Sequence, residues 1–140
     1  MTEVHPNTDT ESPADYDALV AFLQERYADE LRWVATFETS TYRYDVRYIR
    51  DDLKTELSTH DLDKVIHRSI ALFNRPYLEK VYTHLGHVRS FVLQHERATA
   101  IHLYLGAGEG IVIKVRQGAS VTLPDLVDEC LDVLYDRPRR

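Results

Sequence analysis

The sequence contains one cysteine, Cys130, one tryptophan, one methionine and five glycines in 140 residues. A lone cysteine excludes an internal disulfide and any metal site built on several thiolates. No apolar run approaches the roughly 18 residues that a membrane-spanning helix needs, so no membrane partner is expected. Lysine is scarce: Lys54, Lys64, Lys80 and Lys114 stand against thirteen arginines. Acidic residues outnumber basic ones, for a net charge of -6. That balance weighs against a nucleic-acid partner, because phosphate binding rests on a basic surface. Residues 1–13, MTEVHPNTDTESP, lack the basic and apolar regions of a secretory signal, and a cytoplasmic location is expected.

What is present is a globular composition, 44% apolar and 29% charged. A chain of this length most simply forms one domain with a core of its own. Residues 1–13 are polar and aperiodic and are expected to be a disordered tail. The domain is expected over 14–136, with a basic tail at 137–140.

The chain is organised around residues 98–116, ATAIHLYLGAGEGIVIKVR. Thr99, Ile101, Leu103 and Leu105 alternate with Ala98, Ala100, His102 and Tyr104. Ile111, Ile113 and Val115 alternate with Val112, Lys114 and Arg116. A period of two with β-branched residues predicts two half-buried strands, and Gly106, Gly108 and Gly110 supply the hairpin connection. Upstream, Ser12 and Pro13 are expected to open a first helix with the stripe Tyr16, Leu19, Val20, Leu23 and Tyr27. Residues 31–38 read as a strand with Leu31, Trp33, Ala35 and Phe37 on one face. Residues 42–49 read as its hairpin partner, with Tyr42, Tyr44, Val46 and Tyr48 on one face and Arg43, Asp45 and Arg47 on the other.

Residues 50–60 are a polar connector with room for one helical turn. A second helix is expected over 61–85, interrupted at Asn74, Arg75 and Pro76 because proline has no amide to donate. Residues 88–95 read as a third strand. Leu126, Val127, Cys130, Leu131 and Leu134 form the stripe of a last helix that opens at Leu123 and Pro124. The order is helix, two strands, helix, three strands, helix. It predicts an α+β domain, a five-stranded antiparallel sheet with helices on both faces. Strands such as IVIKV and VRSFVL, apolar on both faces, fit a doubly covered sheet.

This element order resembles the roadblock/LC7 and profilin-like architecture. The pieces LRWVATFE, YDVRYIRDDL, LGHVRSFV, AIHLYLGAGEGIVIKV and LPDLVDECLDVL resemble a family of small haloarchaeal proteins. That resemblance implies a salt-adapted cytoplasmic domain and brings no catalytic residues with it. The preference for acid and for arginine over lysine fits such a cytosol.

The turn LGAGEGIV shares its glycines with phosphate-cradling loops, but those lie where a strand enters a helix. Here a strand follows, and Glu109 adds a negative charge, so a plain hairpin turn is expected. Among the histidines, His84 and His87 lie at one end of the predicted second helix, and His60, Asp61 and Asp63 at the other. Those ends are tens of ångströms apart at about 1.5 Å per residue. Neither group completes a zinc shell, and no metal or cofactor is expected. His102 is expected beneath a helix. Cys130 sits on an apolar stripe among Asp128, Glu129 and Asp132, the reverse of a reactive thiolate's surroundings. No serine has a nucleophile-elbow context.

With no catalytic set, the sequence reads first as a non-enzymatic protein-interaction or regulatory scaffold module. It would dimerise through a sheet edge and the second helix, with Tyr77, Leu78, Tyr82, Val88 and Phe91 at the interface. A second reading is a nucleic-acid-associated regulator using the basic surface Arg43, Arg47 and Arg50. Against it, alternation separates the arginines from the tyrosines that a base-stacking platform would need beside them. A third reading is a small-ligand sensor holding its ligand between sheet and helix.

Overall fold

The computed structural model describes residues 14–56, 61, 64, 79–80, 83–106 and 108–136. In chain order the elements are helix α1 (Tyr16–Tyr27), strands β1 (Leu31–Glu38) and β2 (Arg43–Ile49), and helix α2 (Asp51–Glu56). Strands β3 (Ser90–Gln94), β4 (Ala98–Gly106) and β5 (Glu109–Arg116) and helix α3 (Asp125–Leu134) complete them. Of the second helix expected over 61–85, the described residues Asp61, Lys64, Glu79 and Lys80 have helical backbone, and Thr83–Leu85 form a 3-10 turn. The interruption at Asn74 to Pro76 lies outside the described residues. So do Tyr77, Leu78 and Tyr82 and the two expected tails.

The alternation in residues 98–116 becomes the β4–β5 hairpin, and β5 is the middle strand of one antiparallel sheet ordered β2-β1-β5-β4-β3. Cross-strand register lines side chains into rows. On the first face, Tyr48, Val34, Ile113, Ile101 and Val92 cross all five strands. Thr36, Ile111 and Leu103 make the next row. Helices α1 and α3 cover this face, burying Leu19, Leu23, Leu126, Val127, Cys130 and Leu134 against it. Each such aliphatic side chain, taken fully from water, contributes about 1.5–3 kcal/mol. The helices run antiparallel. The Asp15 amide donates to the Leu134 carbonyl at 2.8 Å, and Arg26 Nη2 meets Glu129 Oε1 at 2.5 Å.

The second face carries Trp33, Lys114 and Ala100 in one row, Ala35, Val112 and His102 in the next, and Phe37, Gly110 and Tyr104 in a third. Leu53 of α2 joins Trp33, Ala35, Phe37, Tyr104 and Val112 in a second apolar cluster. A sheet buried on both sides is why its strands are apolar at consecutive positions rather than alternate ones.

Two bulges change which face a residue takes. Leu31 lies opposite Val115 but Trp33 lies opposite Lys114, so Arg32 is an extra residue in β1. Leu31 therefore packs with Val34 on the α1/α3 face, and not with Trp33, Ala35 and Phe37 as alternation predicts. In β2, Val34 pairs with Tyr48 and Ala35 with Val46, leaving Arg47 extra. Tyr48 is thereby moved to the α1/α3 face, away from Tyr44, which packs against the second cluster. One inserted residue reverses every later side chain, because the strand period is two.

The helix start also differs from expectation. Asp15, not Ser12, is the N-cap, its Oδ1 accepting from the Ala18 amide at 3.0 Å. Strand β2 begins at Arg43, because Tyr42 takes a positive φ of 58° in the turn before it. At the glycine turn, the Gly108 carbonyl accepts from the Thr39 amide at 2.8 Å and from Thr39 Oγ1 at 3.1 Å. The turn is thus a hairpin docked on the β1–β2 connection. Gly110 is required by a close approach: a Cβ there would lie 2.2 Å from Phe37 Cζ and 2.7 Å from the Leu103 carbonyl oxygen.

Candidate interaction surface

An open sheet offers its outermost strands to a partner, and here these are β3 and β2. Strand β3 pairs with β4 without irregularity from Ser90 opposite Leu103 to Gln94 opposite Thr99. It contains no charged residue, and Ser90 to Leu93 are half-buried. Phe91 and Leu93 lean on the second apolar cluster and Val92 on the first. The approach to the strand is fixed by Glu79, whose Oε2 accepts from the Val88 amide at 2.7 Å and whose Oε1 lies 3.2 Å from His87 Nδ1. Val88 is therefore not part of the strand, which the alternation had started there. Its amide is spent on a carboxylate, and the ladder begins at Ser90. Leu85, just upstream, is 68% exposed.

Strand β2 is built differently. It carries the bulge at Arg47 and exposes Arg43, Asp45, Val46 and Arg47. Arg47 is exposed yet engaged. Its Nε donates to Thr36 Oγ1 at 3.1 Å and its guanidinium carbon lies 4.4 Å from the Tyr16 ring centroid. Its Nη2 is 3.7 Å from Asp45 Oδ2. Arg50 is engaged more fully. Nε and Nη2 grip the Asp52 carboxylate at 2.5 and 2.9 Å, and Nη1 donates to the Asp29 carbonyl at 2.6 Å. That grip raises the guanidinium's pKa and holds the Asp52 carboxyl below its usual range.

Of the three arginines of the expected basic surface, Arg43 and Arg47 line one cleft of about 290 Å³ with Tyr16, Thr36, Asp45 and Glu109. Arg50 is not among its lining residues. Burial, and secondarily Glu109, raises the Tyr16 phenol's pKa. The pairing of Tyr16 with Arg47 left no trace in the sequence, because it depends on the β2 bulge. Tyr44 and Tyr48 are half-buried against opposite faces of the sheet.

The remaining candidates are structural. Cys130 is buried, and its thiol is pushed up to about 12, first by burial and then by Glu129. His102 is buried on the second face, edge-on to Phe37 with ring centroids 6.3 Å apart. Among the described residues, no group of three or more His, Cys, Asp or Glu side chains could hold a metal ion. Among them, too, no helix is long and apolar enough to cross a membrane.

Residues 17–135 match a family described as a domain of unknown function, DUF7522. The chain belongs to the DUF7522 family. The match takes in every strand of the sheet and the α3 helix. No curated protein matches the sequence.

Solved structures share the fold. The roadblock/LC7 domain from Streptomyces avermitilis superposes with a TM-score of 0.58 at 15% identity, covering 87% of this chain and 92% of that one. The gliding protein MglB from Thermus thermophilus gives 0.55 at 16% identity, covering 94% and 95%. An MglB with a tetrameric arrangement gives 0.52 at 16% identity, covering 90% of each chain. The expected five-stranded α+β architecture of roadblock/LC7 type is therefore the fold of this family member.

Proposed function

We propose that the protein is a non-enzymatic protein-interaction module of regulatory type, and that two copies join through the outer edge of β3. The observation that carries this reading is the contrast between the two outer strands. β2 has the features that keep a sheet edge from pairing: alternating charge and a bulge. β3 has neither, and it is flanked by the exposed Leu85. A second copy added antiparallel along β3 would continue the sheet across the two chains and cover Phe91, Val92 and Leu93. Tyr77, Leu78 and Tyr82, from the segment before the strand, would add apolar area.

The likeness to a roadblock/LC7 domain and to an MglB with a tetrameric arrangement supports a scaffold that assembles. The acidic and arginine-rich composition supports a salt-rich cytoplasm as its place of work.

The test is sedimentation equilibrium of the full chain at micromolar concentration in high salt. Wild type should sediment as a dimer. Phe91→Lys and Leu85→Asp should each shift it towards monomer, with circular dichroism showing the sheet retained. A wild-type monomer at every concentration tried would overturn the proposal.

A further inference from the structure

Among the described residues, two cations meet on the second face of the sheet with no acid paired to either. Arg32 is the extra residue of the β1 bulge, set between Leu31, opposite Val115, and Trp33, opposite Lys114. The bulge places an arginine next to the lysine of the neighbouring strand. Lys114 is half-buried, its ammonium 5.6 Å from the Trp33 ring centroid. The Nε of Arg32 is buried and has no hydrogen-bond partner among the described residues. Neither side chain makes an ion pair among the described residues, although the chain as a whole carries an excess of acid.

The described residues around them do not neutralise them. Asp52 feels the Arg32 charge, but both its carboxylate oxygens are already held by Arg50. Lys114 faces Arg32 and the imidazole of His102. Burial, and then the Arg32 charge, lower the Lys114 pKa. Two partly desolvated cations side by side cost stability until an opposite charge enters between them.

We propose that Arg32 and Lys114 form a binding site for a dianionic phosphate group. The planar guanidinium can present parallel N–H donors to two phosphate oxygens, and the ammonium adds a point charge with donors that turn to suit. Both side chains are only half-buried, so a ligand can reach them. The site is independent of the β3 edge, and dimerisation is not needed for it.

The test is thermal unfolding of the full chain titrated with inorganic phosphate against chloride at matched ionic strength. Wild type should show a saturable rise in Tm. Arg32→Gln and Lys114→Gln should each weaken the apparent phosphate affinity at least about tenfold, as the loss of one charged hydrogen bond implies. Lys114→Arg, which keeps the charge, should retain most of the response and guards against a Gln variant that fails to fold. A parallel titration with AMP separates the sources: tighter binding than inorganic phosphate, lost in the same variants, assigns the site to a phosphorylated metabolite. Equal affinity for the two assigns it to free phosphate. No rise in wild type, or an equal rise in wild type and both Gln variants, would overturn the proposal, the latter being the general stabilisation that phosphate gives any folded chain.

Discussion

Replacing His102 with glutamine should flatten the acid side of the stability curve. His102 is 1% exposed, flanked by Phe37 and by the Lys114 charge. Burial, and then that charge, hold its pKa at about 4, against 6.5 for an ordinary imidazole. Above pH 6.5 the ring is neutral in the folded and unfolded chains alike, and its titration costs nothing. As the pH falls from 6.5 towards 4, the unfolded chain takes up a proton that the folded chain refuses. Stability is lost over that window, by on the order of 3 kcal/mol at about 1.4 kcal/mol per pH unit. Below the folded pKa both states are protonated and the loss levels off.

Urea denaturation of wild type and His102→Gln, from neutral pH to below 4, measures it. The carboxylates titrate in both proteins, so the difference between the two curves isolates the imidazole. The wild type should lose about 3 kcal/mol more than the variant across the window. A difference that stays constant to within about 0.5 kcal/mol from pH 6.5 to 4 would refute the reasoning. It would mean that the folded protein admits the proton, by opening the second face or by moving Lys114 away.

Gly110→Ala should destabilise by about 3 kcal/mol in the same urea assay, because the new methyl collides with the Phe37 ring and with the immobile Leu103 carbonyl. Adding Phe37→Ala should relieve only the ring's share, so the double variant should fall short of the sum of the singles. Cys130, with its thiol near 12, should resist a thiol reagent at neutral pH in the folded protein and react as urea unfolds it. Rapid labelling without denaturant would show that the α1/α3 face opens in the native state.

Much of the architecture was legible because it rests on local periodicity. The alternation of Ile101, Leu103, Ile111, Ile113 and Val115 predicted the central hairpin, and all five lie in the first cluster. The stripe Leu126, Val127, Cys130, Leu131 and Leu134 predicted the inner face of α3, with all but the half-buried Leu131 buried. Apolar residues on both sides of the same strands predicted a sheet covered twice. The hairpin character of the glycine turn was legible from the strand that follows it. Less could be read of the surfaces. Arg43, Arg47 and Arg50 look equivalent in YRYDVRYIR, yet Arg50 spends its charge on Asp52, while Arg47 stacks on a tyrosine from a different element.

What the sequence by itself determined is the set of strands and helices and the two-sided burial of the sheet, since side-chain period and turn chemistry act over a few residues. Only the tertiary structure decided which strands stand at the margins and where the ladders slip. The bulges at Arg32 and Arg47 arise from matching β1 against β5 and β2, and no pattern within one strand announces them. A single extra residue transfers Leu31 and Tyr48 to the opposite face and brings Arg32 beside Lys114, because strand geometry converts a shift of one position into a change of side.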